Sequence, residues 1–228
     1  MAKLFLQRHL KSQWNALDIW GGWADNPLSQ EGKAQAPGIA KLIQQETINV
    51  AYSSILMRSM ETVLRVYDLI PEYYPLFIHI DGGKMQEWGH FEPENAGNYL
   101  PVYVTEKLNE RYYGDIQSAN KAEAKKKFGE EQVKEWRTSY KAAPPGGESG
   151  PDVYKRVIPF YQQYIEKDLK EGKNVLVVAS HHSLRAIVKY IENIPDKEMI
   201  NVELGFGSLT TYAFDQSGTL VSEKYFAK

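Results

Sequence analysis

The 228-residue sequence contains no cysteine, which excludes disulfides, thiolate metal sites and a thiol nucleophile, and suits a reducing compartment. No apolar run approaches the ~18 residues of a membrane-spanning helix, and Met1 leads into a short strand-like segment rather than a signal peptide. The expectation is a soluble cytoplasmic protein with no membrane partner. Neither charge dominates: 27 basic and 29 acidic residues leave a net charge of -2. No chain-wide field therefore attracts nucleic acid, and any anion site has to be local. Repeats and low-complexity segments are absent. No HxH or HExxH spacing occurs, and adjacent His181 and His182 would diverge on a strand, so no metal site is expected.

What is present is enough apolar material, 43% of residues, for a sizeable core in one large α/β domain spanning residues 1–228. Leu4 to Gln7 reads as a short buried strand running into Arg8 and His9. Ser29 can cap a helix to about Gln45, kinked or restarted at Pro37. Val50 to Ser54 reads as a strand, Met57 to Ile70 as a helix with Arg58 at the junction, and Leu76 to Ile80 as a third strand. Residues 81–105 are rich in Gly, Pro and aromatics without a period, and read as a lid-like insertion. Asn120 to Tyr140 is helical in composition. After Pro144-Pro145-Gly146-Gly147, Asp152 to Lys170 reads as a helix with a kink at Pro159. Asn174 to Ala179 is continuously apolar from Val175, as in a parallel strand covered on both faces, and ends at Ser180, His181 and His182.

Strands alternating with helices predict a doubly wound, mostly parallel sheet with helices on both faces, which gathers the carboxyl ends of its strands at one ligand-binding edge. That edge would collect Arg8, His9, Arg58 and the late histidines. A phosphoryl group in transfer spreads negative charge over three oxygens, and planar arginine donors with an in-line nucleophile answer that need. Neutral imidazole is such a nucleophile near neutral pH, and a phosphohistidine would split one transfer into two easier ones. On these residues alone, a surface Arg-His pair at a loop start competes with the catalytic reading.

Arg8-His9-Leu10-Lys11-Ser12-Gln13-Trp14-Asn15, Gly22-Trp23-Ala24-Asp25-Asn26-Pro27-Leu28-Ser29 and Ser54-Ile55-Leu56-Met57-Arg58 resemble the opening motifs of the histidine phosphatase superfamily. Leu108-Asn109-Glu110-Arg111-Tyr112-Tyr113-Gly114, Asn120 to Glu123, Phe128 to Val133 and Trp136-Arg137 are similar to its cofactor-dependent phosphoglycerate mutases. The resemblance implies the doubly wound fold, a phosphohistidine at His9, Arg8 and Arg58 on the transferring group, and Glu110 as proton donor and acceptor with a pKa raised by nearby phosphates. It implies substrate contacts at Ser12, Asn15, Gly22, Arg111, Tyr113, Lys121, Arg137 and His182, and 2,3-bisphosphoglycerate as priming cofactor without a metal. It further implies a small phosphorylated substrate and a homodimer or homotetramer. Loop capping by Ser12 and Asn15, and a solvated helix face for Lys121, are the plainer alternatives.

Four departures from the family pattern stand out. Leu10 replaces a glycine and is expected to alter access to the phosphate. Thr138 replaces an arginine and Gly21 a threonine. In Ser180-His181-His182-Ser183-Leu184-Arg185 a gapless alignment puts serine where the family has its second histidine. His181 is favoured for that role, with one residue deleted from the loop, and His182 is expected to cap or pack. A phosphatase, favoured by the lost cation at Thr138, and a degenerate phosphate-binding paralogue are the rival functions.

Overall fold

The structure is a computed structural model and describes residues 1–89, 98–215 and 218–226. Its strands, in chain order, are β1 (Ala2–Arg8), β2 (Val50–Ser54), β3 (Tyr74–His79), β4 (Tyr99–Thr105), β5 (Val175–Ala179), β6 (Leu209–Phe214) and β7 (Leu220–Phe226). They form one sheet in the order β3-β4-β2-β5-β1-β6-β7, parallel from β3 to β1 and antiparallel through β6 and β7. The apolar run in β5 is explained by its central place. Val175, Val177 and Ala179 join Leu4 and Leu6 on one face, whereas Leu176 and Val178 join Phe5 and Ala51 on the other. A strand buried on both sides has no polar register to keep, and truncating one such Leu or Ile to Ala costs about 2–5 kcal/mol.

The helices that cover the sheet are placed by local signals. Short α1 (Gln13–Ala16) is capped by Ser12, and α2 (Gln30–Lys33) by Ser29, whose hydroxyl accepts from Gly32 N at 3.0 Å. The helix restarts as α3 (Ala36–Ile43) with Pro37 in its first turn, where no donor is lost. With α4 (Met57–Tyr67) it covers one face. Beyond α5 (Gly83–Trp88), the charged stretch forms α6 (Lys121–Phe128) and α7 (Glu130–Thr138), divided at Gly129 with φ +89°. The other face is covered by α8 (Gly150–Phe160) and α10 (His181–Ile191). The Pro159 kink takes the form of a π-helical turn, Tyr161–Ile165, before α9 (Glu166–Lys170), as a missing backbone donor favours.

One correction concerns the lid-like stretch 81–105. Its last part is β4, hydrogen-bonded between β3 and β2. Pro101 and the aromatics hid it, because proline argues against a central strand. Residues 90–97 of that stretch lie outside the described residues. The antiparallel strands β6 and β7 were not anticipated either.

Register sets up the site. Arg8 pairs with Ala179 and Ser53 with Val178, so β1, β5 and β2 end level, and His9 N donates to Ala179 O at 3.0 Å. The residues that follow these strands meet at one edge of the sheet.

Candidate active site

His9 is almost completely buried, 2% exposed. Its Nδ1 lies 2.7 Å from Leu10 O, which can only accept, so Nδ1 carries the proton and Nε2 keeps its lone pair. Arg58 Nε donates to that Nε2 at 3.2 Å. Burial first, then the charges of Arg58 and Arg8, hold the imidazole well below its usual range, so it is neutral at pH 7.

Arg58 sits in the first turn of α4, which Asp25 caps by accepting from Met57 N at 2.5 Å. Its other nitrogens donate to Ala24 O at 3.0 Å, to Gly22 O at 2.7 Å and to Ser180 Oγ at 3.4 Å. Gly22 is required here: its φ is +46°, and a Cβ would lie 2.9 Å from the Tyr113 ring. Arg8 stacks on Phe206, its guanidinium carbon 3.7 Å from the ring centroid, and donates to Leu204 O at 2.5 Å. Burial lowers it to about 10, which leaves it charged.

Opposite lies Glu110, whose Oε1 accepts from Arg111 N at 2.7 Å and from His182 Nδ1 at 2.8 Å. Burial alone would raise its pKa, but contact with His182 and His181 and the hydrogen bonds from His182 and the Arg111 amide pull it well below the usual carboxylate range. The expectation of a raised value considered only repulsion by phosphate; the protein's own donors act in the other direction. His182 is itself lowered to about 3, by burial and by Arg111, so the pair is a carboxylate accepting from a neutral imidazole.

No residue separates β5 from α10 except Ser180, the N-cap. The three candidates for the second histidine therefore divide the space. Ser180 is buried against Arg58. His181 Nε2 lies 3.5 Å from Glu203 Oε2 and among the described residues meets no partner in closer hydrogen-bond geometry. His182 packs edge-on against Tyr113, in line with the expectation, and in addition bonds Glu110. The Leu10 expectation is also corrected. Its side chain is fully buried in the α3–α4 core, and its backbone N donates to Thr62 Oγ1 at 3.0 Å, so it leaves the cavity unobstructed.

Every site residue expected from the sequence lines one cavity of about 590 Å³. Several have structural partners as well. Ser12 and Asn15 form a capping box on α1, Lys121 pairs with Asp18, and Arg111 donates to Trp136 O at 2.6 Å. Arg137 and Thr138 stand exposed on α7, with Thr138 Oγ1 donating to Lys134 O at 3.0 Å. Sequence reasoning missed Trp20, Lys125, Lys134, Arg185, Glu203 and Phe206 in the same lining. Arg185 stood in a motif already singled out; Glu203 and Phe206 lie on the connection to β6, and only the flanking Gly205 and Gly207 hinted at a close approach.

The histidine phosphatase superfamily (branch 1) model matches residues 4–96 and 91–225. The chain belongs to this superfamily. Similar proteins include the 2,3-bisphosphoglycerate-dependent phosphoglycerate mutase of Methanococcus vannielii, 40% identical over 96% of this chain and 93% of that protein. The corresponding mutase 1 of Gloeobacter violaceus is 39% identical over 98% of both chains. Among solved structures, a mycobacterial glucosyl-3-phosphoglycerate phosphatase shares the fold with a TM-score of 0.72, at 20% identity over 99% of this chain and 97% of the other. As a superfamily member the chain is an enzyme, and its neutral His9 faces the cavity between Arg8 and Arg58.

Proposed function

We propose that this chain is a 2,3-bisphosphoglycerate-dependent phosphoglycerate mutase that interconverts 3-phosphoglycerate and 2-phosphoglycerate through a phosphohistidine at His9. The supporting observation is His9 itself: a neutral imidazole whose unprotonated Nε2, held by Arg58 Nε, lies in an arginine-lined cavity that also holds the Glu110 carboxylate. The relatives near 40% identity carry that activity in their names.

In this reading His9 Nε2 attacks phosphorus while Arg8 and Arg58 stabilise the charge on the equatorial oxygens. His181, whose Nε2 lies 3.5 Å from Glu203 Oε2, adds a donor. Glu110 takes the proton from the acceptor hydroxyl and returns it to the leaving oxygen. Ser12, Asn15, Gly22, Arg111, Tyr113, Lys121 and Arg137 surround the rest of the substrate. The priming cofactor supplies the phosphoryl group that His9 first carries, and the cationic set of Arg8, Arg58 and Arg111, with the buried Nε atoms of Arg8 and Arg111 unpaired among the described residues, suits so anionic a molecule.

The test is incubation with 2,3-bisphosphoglycerate and 3-phosphoglycerate, with products resolved by phosphorus NMR. 2-Phosphoglycerate is expected, and His9→Ala abolishes both it and acid-labile phosphate on the protein. Labelling that persists in the variant removes His9 from the mechanism. The phosphatase reading keeps one observation in its favour, the uncharged Thr138 in the lining, and predicts inorganic phosphate as the main product.

A further inference from the structure

We infer that His182 is a positioning residue for Glu110: it fixes one carboxylate oxygen so that the other, ionised and unbound, receives the proton of the acceptor hydroxyl. The inference deepens the phosphoryl-transfer reading and rests on it for the proton's origin.

Three donors converge on Glu110 Oε1: Arg111 N at 2.7 Å, His182 Nδ1 at 2.8 Å and His182 N at 3.3 Å. Among the described residues no donor bonds Oε2, which leaves that atom for a hydroxyl in the cavity Glu110 lines. Two of the three bonds come from His182, in the first turn of α10, where helix amides point outward and favour an anion. The backbone on both sides is also tied down. Ser183 Oγ donates to Asn109 O, and Arg156 of α8 donates to Glu110 O at 3.0 Å. The carboxylate is thus held from α10 and its own segment, and its backbone from α10 and α8.

Orientation alone is not the whole effect. His181, His182 and Arg185 face Glu110 from α10, Arg8 and His9 from the end of β1, Arg58 from α4, and Arg111 and Tyr113 from its own segment. Arriving phosphates offset the arginines and disfavour a second negative charge beside them. A hydrogen bond from neutral His182 is not offset in this way, because it stabilises the carboxylate without carrying charge. Proton balance follows directly. As the acceptor oxygen bonds to phosphorus, its proton moves to Oε2, the P–Nε2 bond breaks, and the electron pair returns to His9. In the reverse direction Oε2 gives the proton back to the leaving oxygen.

The experiment is a carboxyl carbon-13 NMR titration of glutamate-labelled protein, with the Glu110 signal identified by its loss in Glu110→Gln. His182→Leu should move the Glu110 midpoint up by about one pH unit or more, and the acid limb of kcat/KM should move with it. His182→Asn, whose Nδ2–H can stand in for Nδ1–H, should keep the midpoint near that of the unaltered protein. An unmoved midpoint in His182→Leu overturns the inference, as does a His182→Asn variant that titrates like His182→Leu. If His182→Leu does not fold, His182→Phe carries the same comparison with a ring that lacks the N–H. A protein with no mutase turnover would remove the activity reading while leaving the carboxyl titration as the test of His182.

Discussion

At the floor of the cavity Arg58 directs its nitrogens to His9, Ser180 and the carbonyls of Gly22 and Ala24, and is 2% exposed. At the rim, Arg137 and Thr138 stand exposed on a nine-residue helix whose underside is the small cluster of Trp20, Tyr113, Ile116, Ala124, Val133 and Trp136. The floor rests on the ends of β1, β2 and β5 and is braced by cores on both sheet faces; the rim rests on that cluster. Its ion pairs, Lys121–Asp18 and Lys125–Glu130, are partly solvated, so they add little and can be exchanged for an incoming anion. The difference separates chemistry from recognition. Groups that meet developing charge have to be fixed before reaction, whereas groups that gather an anion can stay loosely paired.

The sharpest way to break this contrast is Arg58→Lys. An ammonium cannot reach His9, Gly22 O and Ala24 O together, because it lacks the planar fork. Turnover should fall by about a thousand-fold or more, and a rapid-quench assay of His9 phosphorylation should show the loss in the phosphorylation step. Near-full activity would mean that charge alone, not the bound geometry, is what the floor supplies.

Acid stability sharpens the comparison from another side, since the floor holds three lowered histidines, His9 buried and His181 and His182 half-buried, and the described rim has none. Burial is the leading cause for His9, His181 and His182, the last lowered to about 3. Below about pH 6.5 the unfolded chain binds protons that the folded one refuses, so stability falls as pH falls from there toward the folded values. Three such groups give a slope of up to about 4 kcal/mol per pH unit. Glu110, with a folded pKa below its unfolded one, acts in the same direction below about pH 4.5. Urea unfolding at pH 7, 6 and 5 measures it, and a flat response would show that these imidazoles are protonated in the folded protein.

The same contrast explains what was legible in the sequence. Floor residues follow strand ends, and a run such as Val175 to Ala179 announces its own burial, so Arg8, His9 and Arg58 could be placed from pattern and motif. The turn after β5 could not. Ser180, His181 and His182 differ by one position, and whether a residue is deleted is settled by where α10 begins, which depends on packing against α8 rather than on local sequence. Glu203 and Phe206 reach the cavity only because the connection between α10 and β6 folds back over Arg8. Such a long-range contact has no periodicity. β4 was obscured by a different cause, the proline that breaks its strand pattern.

The smallest expected effect belongs to the rim. Thr138 lines the cavity beside Arg137 and Lys134, yet its hydroxyl is turned back to its own helix at Lys134 O. It therefore offers an anion no charge. Thr138→Arg would add a guanidinium on an exposed turn, at a helix cost of a few tenths of a kcal/mol from the like charge at Lys134. A partly solvated ion pair is worth about 0.2–1 kcal/mol, which corresponds to roughly a 1.4- to five-fold change in retention of a doubly phosphorylated species. The ratio of 2-phosphoglycerate to inorganic phosphate, read by phosphorus NMR, should rise by that factor while the rate of His9 phosphorylation stays constant, because the floor is untouched. A ratio that does not move would mean Lys134, four residues earlier on α7, already supplies the cation. A ratio that moves together with the phosphorylation rate would mean floor and rim are coupled, and that the division between chemistry and recognition is wrong.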